Sequence, residues 1–193
     1  MPKTVACLLV DSPRVFAWLG HLPIMTWTAT NLAEVRGVDR IVCVATADTA
    51  DRARKLLDPE VEVVRLPKEL VGAKPGELDR WLTAATGPAC DADVVVAVRP
   101  TSPFLPAAKI EACVAAVRRG RCSVAQPAQA VNVVVATRKT PAPAAVESVR
   151  VFAVKVPAEP KLHTVRVSMI EALDVTDPDQ FVMADALVTA NKV

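Results

Sequence analysis

Asp93–Val117, DVVVAVRPTSPFLPAAKIEACVAAV, is the stretch whose reading decides the fold. Val94–Val98 is an unbroken apolar and mainly β-branched run, the pattern of a strand buried on both faces of a parallel sheet. The second half has a different period. Ile110, Cys113, Val114 and Val117 fall at i, i+3, i+4 and i+7, which predicts a helix with that stripe inward and Lys109, Glu111, Arg118 and Arg119 outside. Between strand and helix, Arg99-Pro-Thr-Ser-Pro-Phe-Leu-Pro106 sets a cation and two hydroxyls among three prolines. A loop leaving the carboxyl end of a central strand is where an open α/β sheet binds its ligands.

The same grammar extends toward the N-terminus. Thr4–Val10, Ile41–Thr46 and Val61–Leu66 read as strands. Between the first two, Ile24, Thr28, Leu32 and Val35 form a helical stripe that stops near Gly37, a C-cap residue. Asp48 is expected to cap a helix running to Leu57, and Leu78, Trp81, Leu82 and Ala85 mark another before the central strand. Strands alternating with helices over connections too long for hairpins require parallel pairing and right-handed crossovers. After Gly120 the pattern changes to short extended runs, Ser123–Ala128, Val131–Ala136, Ser148–Val156 and Thr164–Ile170, separated by proline-rich turns. These predict a mixed or antiparallel edge of the same sheet, with a small arm around residues 137–147. A last helix is announced by Asp177 as N-cap, Pro178 at its first position and Gln180 closing a capping box, with Phe181, Ala184 and Val188 inward. The expectation is one α/β domain over residues 1–193.

Composition narrows the function classes. With 52% hydrophobic residues the chain can bury a full core. No apolar run approaches membrane-spanning length, and the short run after Lys3 ends at Asp11, so it reads as a strand and not as a signal peptide. The 23 basic residues against 21 acidic ones form no basic block, and tyrosine is absent, which argues against nucleic acid as a partner. Five cysteines without a C-x-x-C pair fit a reducing, cytoplasmic setting, and two isolated histidines do not make a metal site.

Five motifs in order resemble the sugar-activating cytidylyltransferases, chiefly the acylneuraminate (CMP-sialic acid synthetase) group and more distantly the Kdo cytidylyltransferases. Gly20-His-Leu-Pro-Ile-Met-Thr-Trp27 is similar to the family's GKPMI-x-W, and Val38-Asp-Arg-Ile-Val-Cys-Val-Ala-Thr46 to its second strand. Arg65-Leu-Pro-Lys-Glu-Leu70 is similar to RP-x-x-L, and Val98-Arg-Pro-Thr-Ser-Pro-Phe104 to LQPTSPL. Ala172-Leu-Asp-Val-Thr-Asp-Pro-Asp-Gln-Phe181 is similar to IDIDT-x-x-DF, and also to the tail of methylerythritol-phosphate cytidylyltransferases. The resemblance implies a three-layer nucleotidyltransferase (GT-A-like) fold with a mainly parallel sheet. It also implies a CTP- and Mg²⁺-dependent reaction in which a sugar-acid hydroxyl attacks the α-phosphate and pyrophosphate leaves. The implied roles are Arg14 and Arg99 as catalytic cations on the phosphates, Asp11, Ser12, Arg65, Thr101 and Ser102 as nucleotide-binding residues, and Asp174 as the Mg²⁺ ligand.

Departures from the family pattern set an alternative beside this one. The family's phosphate loop, PAR-x-GSKR-x-PGKN, is replaced by Asp11-Ser-Pro-Arg-Val-Phe-Ala-Trp-Leu19, which has no lysine and no glycine. A phosphate cradle uses consecutive inward N–H groups, which glycine permits and Pro13 removes at one position. Arg99 stands in place of a glutamine, and Thr176 in place of the second carboxylate of a metal pair. The alternative is a non-catalytic binding, regulatory or assembly module on the same fold; a further one is transfer to another small alcohol or phosphate. The dimer arm is reduced, so homodimerisation stays open. Single residues keep two readings each. Arg14 is a phosphate anchor or a solvated loop cation, and Arg99 holds a phosphate or pairs with Asp174. Arg65 is a nucleotide contact or an exposed strand-end residue, Pro100–Pro103 a nucleotide contact or a rigid turn, and Phe16 and Trp18 are cleft plugs, a recognition patch or core.

Overall fold

Thr4–Val10 (β1) is buried along its whole length, as a strand with apolar side chains on both faces has to be. It is an interior strand of the sheet in the computed structural model, which describes residues 3–66, 92–129, 144–145, 149–153 and 161–190. On one side β1 pairs in parallel with β4 (Arg40–Ala45), in the register Val5 to Arg40 through Val10 to Ala45. On the other it pairs in parallel with β6 (Val94–Val98), Thr4 to Val94 through Leu8 to Val98. β5 (Glu62–Arg65) adds to β4, also in parallel.

Beyond β6 the sheet turns mixed, as the change of grammar after Gly120 predicts. β9 (Val149–Ala153) runs antiparallel to β6 and to β7 (Val124–Gln129), and β10 (Leu162–Val167) is parallel to β7. The order across the sheet is β10-β7-β9-β6-β1-β4-β5, with the two-residue β8 (Ala144–Ala145) on β7. A separate hairpin, β2 (Trp18–Leu19) and β3 (Leu22–Pro23), lies in the stretch that the sequence leaves as a plain loop.

Period-two alternation divides the core. Ala6, Leu8 and Val10 share one cluster with Val94, Val96 and Val98. Onto it pack α1 (Ile24–Ala33), α2 (Ala50–Leu56) and α3 (Ala107–Arg118) through Met25, Leu32, Ala53, Ile110, Cys113 and Val114. Val5, Cys7 and Leu9 join Val42, Val44, Val95 and Ala97 on the opposite face. A third cluster joins Leu19 and Ile24 to Leu173, Val175, Ala184 and Val188, which docks α4 (Pro178–Thr189) against the hairpin. The stripe proposed for α3 is buried as expected, and Gly37, at φ +89°, follows α1 in the left-handed region that suits glycine.

Two capping expectations need correction. Asp48 does not cap α2: Thr49 is the N-cap, and its hydroxyl instead donates to Val10 O at 2.8 Å, tying the helix start to β1. Asp177 does cap α4, accepting from the N–H groups of Asp179 and Gln180. Gln180 does not complete a reciprocal box, because its Oε1 accepts from Asp174 N at 2.8 Å, one turn further back. The helix expected around Leu78–Ala85, the strand Val131–Ala136 and most of the arm lie outside the described residues.

Candidate functional site

β1 leads to β4 on one side, and the chain returns to β6 on the other, so the chain's direction across the sheet reverses between β1 and β6. Loops that diverge from the carboxyl ends of two such strands leave a crevice between them. Here it is a cavity of about 310 Å³ lined by Asp11, Ser12 and Arg14 after β1, by Arg99 and Thr101 after β6, and by Asp174 and Thr176 before α4.

The wall after β1 is folded on itself. Ser12 starts a 3-10 turn over Pro13–Phe16 and accepts from Arg14 N at its Oγ, 3.3 Å. Val15 N donates to Ser12 O at 3.4 Å and Ala17 N to Arg14 O at 2.9 Å. Val15 and Phe16 are buried. Arg52 lies over the Phe16 ring, 4.6 Å from its centroid, so Phe16 is core and not part of a recognition patch. Trp18, on the hairpin, is 62% exposed. Gly20 turns that hairpin at φ +61°, where a Cβ would overlap Val188 Cγ1, and its N–H donates to Asp185 Oδ1 at 2.9 Å.

The wall after β6 is held from outside. Asn31 on α1 donates from Nδ2 to Pro103 O at 2.8 Å and to Leu105 O at 3.3 Å. Val175 N donates to Thr101 O at 2.8 Å, joining this loop to the segment that carries Asp174. Arg99 makes an ion pair with Asp11, Nη2 to Oδ2 at 3.6 Å, too long for a hydrogen bond. Its buried Nε has no hydrogen-bond partner. The alternative Arg99–Asp174 pair does not form among the described residues. Asp174 is instead oriented by Thr176, whose N–H and Oγ1–H donate to Oδ1 at 2.9 and 2.7 Å.

Six of the eight residues named from the sequence therefore line one cavity: Asp11, Ser12, Arg14, Arg99, Thr101 and Asp174. Ser102 is buried beside it. Arg65 is not brought there; it stands at the end of β5, 63% exposed, with Asp51 3.7 Å away. Thr176 and Asn31 were not assigned roles by sequence reasoning. Thr176 had a signal in its place two residues after Asp174, the spacing at which an Asx turn closes, whereas Asn31 had none, because its partners are backbone carbonyls distant in sequence.

No group of three or more His, Cys, Asp or Glu suited to a metal ion occurs among the described residues. The two cavity carboxylates still fit Mg²⁺, which takes one or two carboxylates and completes its shell with water and phosphate oxygens. The hydrogen bonds that orient Asp174 both fall on Oδ1, so Oδ2 is the atom suited to the ion. Among the described residues no helix is long and apolar enough to cross a membrane.

No protein-family model matches the chain, and no curated protein matches it in sequence. Solved structures do. A 4-diphosphocytidyl-2C-methyl-D-erythritol synthase from Anaerococcus prevotii superposes with TM-score 0.72 at 14% identity, over 97% of this chain and 99% of that one. The CMP:2-keto-3-deoxy-manno-octonic acid synthetase complexed with CTP gives TM-score 0.72 at 12% identity, over 98% and 99%. A mycobacterial protein from strain JC1 follows at TM-score 0.67 and 13% identity, over 97% and 98%. At such identities the likeness speaks for the fold, and the fold on which this chain is built is the mainly parallel nucleotidyltransferase fold of the cytidylyltransferases.

Proposed function

We propose that the chain is a cytidylyltransferase-like protein, related in type to the CMP-sugar synthetases, that binds a nucleotide in the cavity between β1 and β6 and in which triphosphate turnover is impaired. The observation that carries this reading is the convergence of Arg14, Arg99, Asp11 and Asp174 on one cavity at the switch point of the sheet. In such a site the arginines neutralise phosphate oxygens. Thr101 shapes the pocket, with the buried Ser102 next to it in sequence, and Asp174, held by Thr176, would hold Mg²⁺ with help from Asp11. The bound ion would supply charge neutralisation on the phosphates. The protein's part in phosphoryl chemistry is positioning and electrostatics, so loose phosphate positioning costs turnover before it costs binding. An acidic sugar or a polyol phosphate is the acceptor class suggested by the two cytidylyltransferases of like fold.

The test is calorimetry with the four nucleoside triphosphates and Mg²⁺, with pyrophosphate release assayed on a panel of sugar acids. Saturable, base-selective binding that weakens in Arg14→Ala and Arg99→Ala is expected, with little or no turnover. Rapid turnover that disappears in Asp174→Asn would refute the impairment and restore an active synthetase. A second reading, a binding or assembly module without nucleotide, is favoured by the hydrogen bonds that close the loop after β1 on itself. Absence of any nucleotide binding at millimolar concentration would select it.

A further inference from the structure

The charges and donors of the cavity fit a smaller anion than a triphosphate. Arg14 and Arg99 bring two positive charges to the lining, and Asp11 and Asp174 bring two negative ones. A phosphomonoester carries roughly two negative charges at neutral pH, and a triphosphate tail roughly twice that. Two arginines match the first. Among the described residues of the lining Arg14 and Arg99 are the cationic side chains, so the additional phosphates of the second would lie near Asp11 or Asp174 and depend on a bound cation such as Mg²⁺ to offset the repulsion.

Three backbone donors of the loop after β1 are already engaged. In the loop after β1, Pro13 has no N–H, and those of Arg14, Val15 and Ala17 are bound to Ser12 Oγ, Ser12 O and Arg14 O. Turning them toward a phosphate would break the 3-10 turn that buries Val15 and Phe16. The side chains of Arg14 and Arg99 are the cationic donors on the two walls. The Arg99 side chain makes no hydrogen bond among the described residues, its Nε is buried without a partner, and its carboxylate neighbour is 3.6 Å away. An unpaired buried donor of this kind is costly, and an anion that accepts from it relieves that cost. The volume of about 310 Å³ is also at the small end of the range for ligand cavities.

We propose that this cavity takes a nucleoside monophosphate in preference to a triphosphate, with its single phosphate group held between Arg14 and Arg99. The proposal rests on the reading of the cavity as a nucleotide site. It makes the chain a receptor for a species with the composition of the transferred nucleotidyl group, not for the energy-rich donor.

Calorimetry on the full chain tests it, using the nucleoside, monophosphate and triphosphate of each of the four bases at one ionic strength, with and without Mg²⁺. For the preferred base, the monophosphate is expected to bind roughly ten-fold or more tightly than the nucleoside, the increment of one charge-assisted contact, and the triphosphate no more tightly than the monophosphate. Arg99→Lys, which keeps the charge and removes the planar fork, is expected to lower monophosphate affinity about ten-fold while changing nucleoside affinity by less than about two-fold. Circular dichroism checks that the variant is folded, and Arg14→Gln provides a second variant on an exposed side chain.

A triphosphate that binds ten-fold or more tightly than the monophosphate would overturn this proposal and leave the nucleotide reading intact. A monophosphate no better than its nucleoside would overturn the phosphate role of the arginines. No binding by any of the twelve compounds would overturn both.

Discussion

The loops that leave β1 and β6 sit side by side, each with bonds of its own, and differ in how much anchoring they take from outside. After β1, the hydrogen bonds run within the loop, from Arg14, Val15 and Ala17 back to Ser12 and Arg14, and its apolar residues enter the core. After β6, internal bonds from Thr101 N to Arg99 O and Leu105 N to Ser102 O are joined by anchors from elsewhere, from Asn31 on α1 and from Val175 beyond β10, and the Arg99 side chain keeps its donors. A loop that satisfies itself is rigid but has little to offer a ligand. A loop pinned by its neighbours can be equally rigid and still present unsatisfied groups, which is the condition for preorganised binding.

The contrast is most severely tested by Phe16→Ala. It removes a buried ring from beneath Arg52 and should destabilise the fold by about 3–5 kcal/mol, as Phe-to-Ala changes in cores do, read as a lowered urea midpoint. A loss below about 1 kcal/mol would mean that the β1 loop is not held by its core residues. Asn31→Ala comes next. It leaves two backbone carbonyls without their donor and should cost about 1–3 kcal/mol, with weaker nucleotide binding, because it frees the β6 loop. Lost stability with unchanged binding would separate the anchor from the site. Ser12→Ala should cost about 0.5–1 kcal/mol, near the low end for an N-cap, because its bond to Arg14 N is long at 3.3 Å. If nucleotide affinity rises in that variant, the freed N–H has become a phosphate donor.

The smallest expected effect lies away from both loops and serves as a control. The Arg36 guanidinium beside Glu111 holds that carboxyl below its ordinary value of 4.5. A lowered native value means stability that is present above the unfolded carboxyl range and lost as pH falls through the native one. Glu111→Gln should therefore differ slightly from the parent at pH 7 and converge with it in acid, without any change in nucleotide affinity. The thiols of Cys43 and Cys113 follow the opposite sign. Burial pushes both up to about 12, so the folded protein loses stability as pH rises above 9.0 toward that value, and neither should be alkylated at neutral pH until the chain unfolds.

Much of the fold was legible from local pattern. β1 and β6 are unbroken apolar runs buried along their length, α3 carries its buried residues at period 3.6, and Asp177-Pro178 marks the start of α4 with local chemistry. What was missed depends on contacts distant in sequence. Thr49 caps α2 in place of Asp48 because Val10 O stands within reach of its hydroxyl, and Gln180 turns to Asp174 N in place of its own N-cap. The β2–β3 hairpin has only two residues per strand, too few for a pattern, and depends on Gly20 fitting against α4.

The site shows the same division. Motif order brought out six of the residues lining the cavity, since their loops follow strands whose positions the fold dictates. Arg65 ends a strand, but β5 is an edge strand of the sheet among the described residues, and its end faces Asp51 on α2. The direction of a side chain at a sheet edge is set by its neighbours, which motif order does not report.

The bond from Val175 N to Thr101 O also has a consequence for synthesis. During translation β1 and β6 can pair, and α3 can cover them, while the segment carrying Asp174 is still inside the ribosome. The cavity's third wall then arrives after the scaffold, so a nascent chain stalled at that point would possess the paired β1 and β6 and no finished cavity. Any ligand that needs all three walls would stabilise the chain only once the segment carrying Asp174 has emerged.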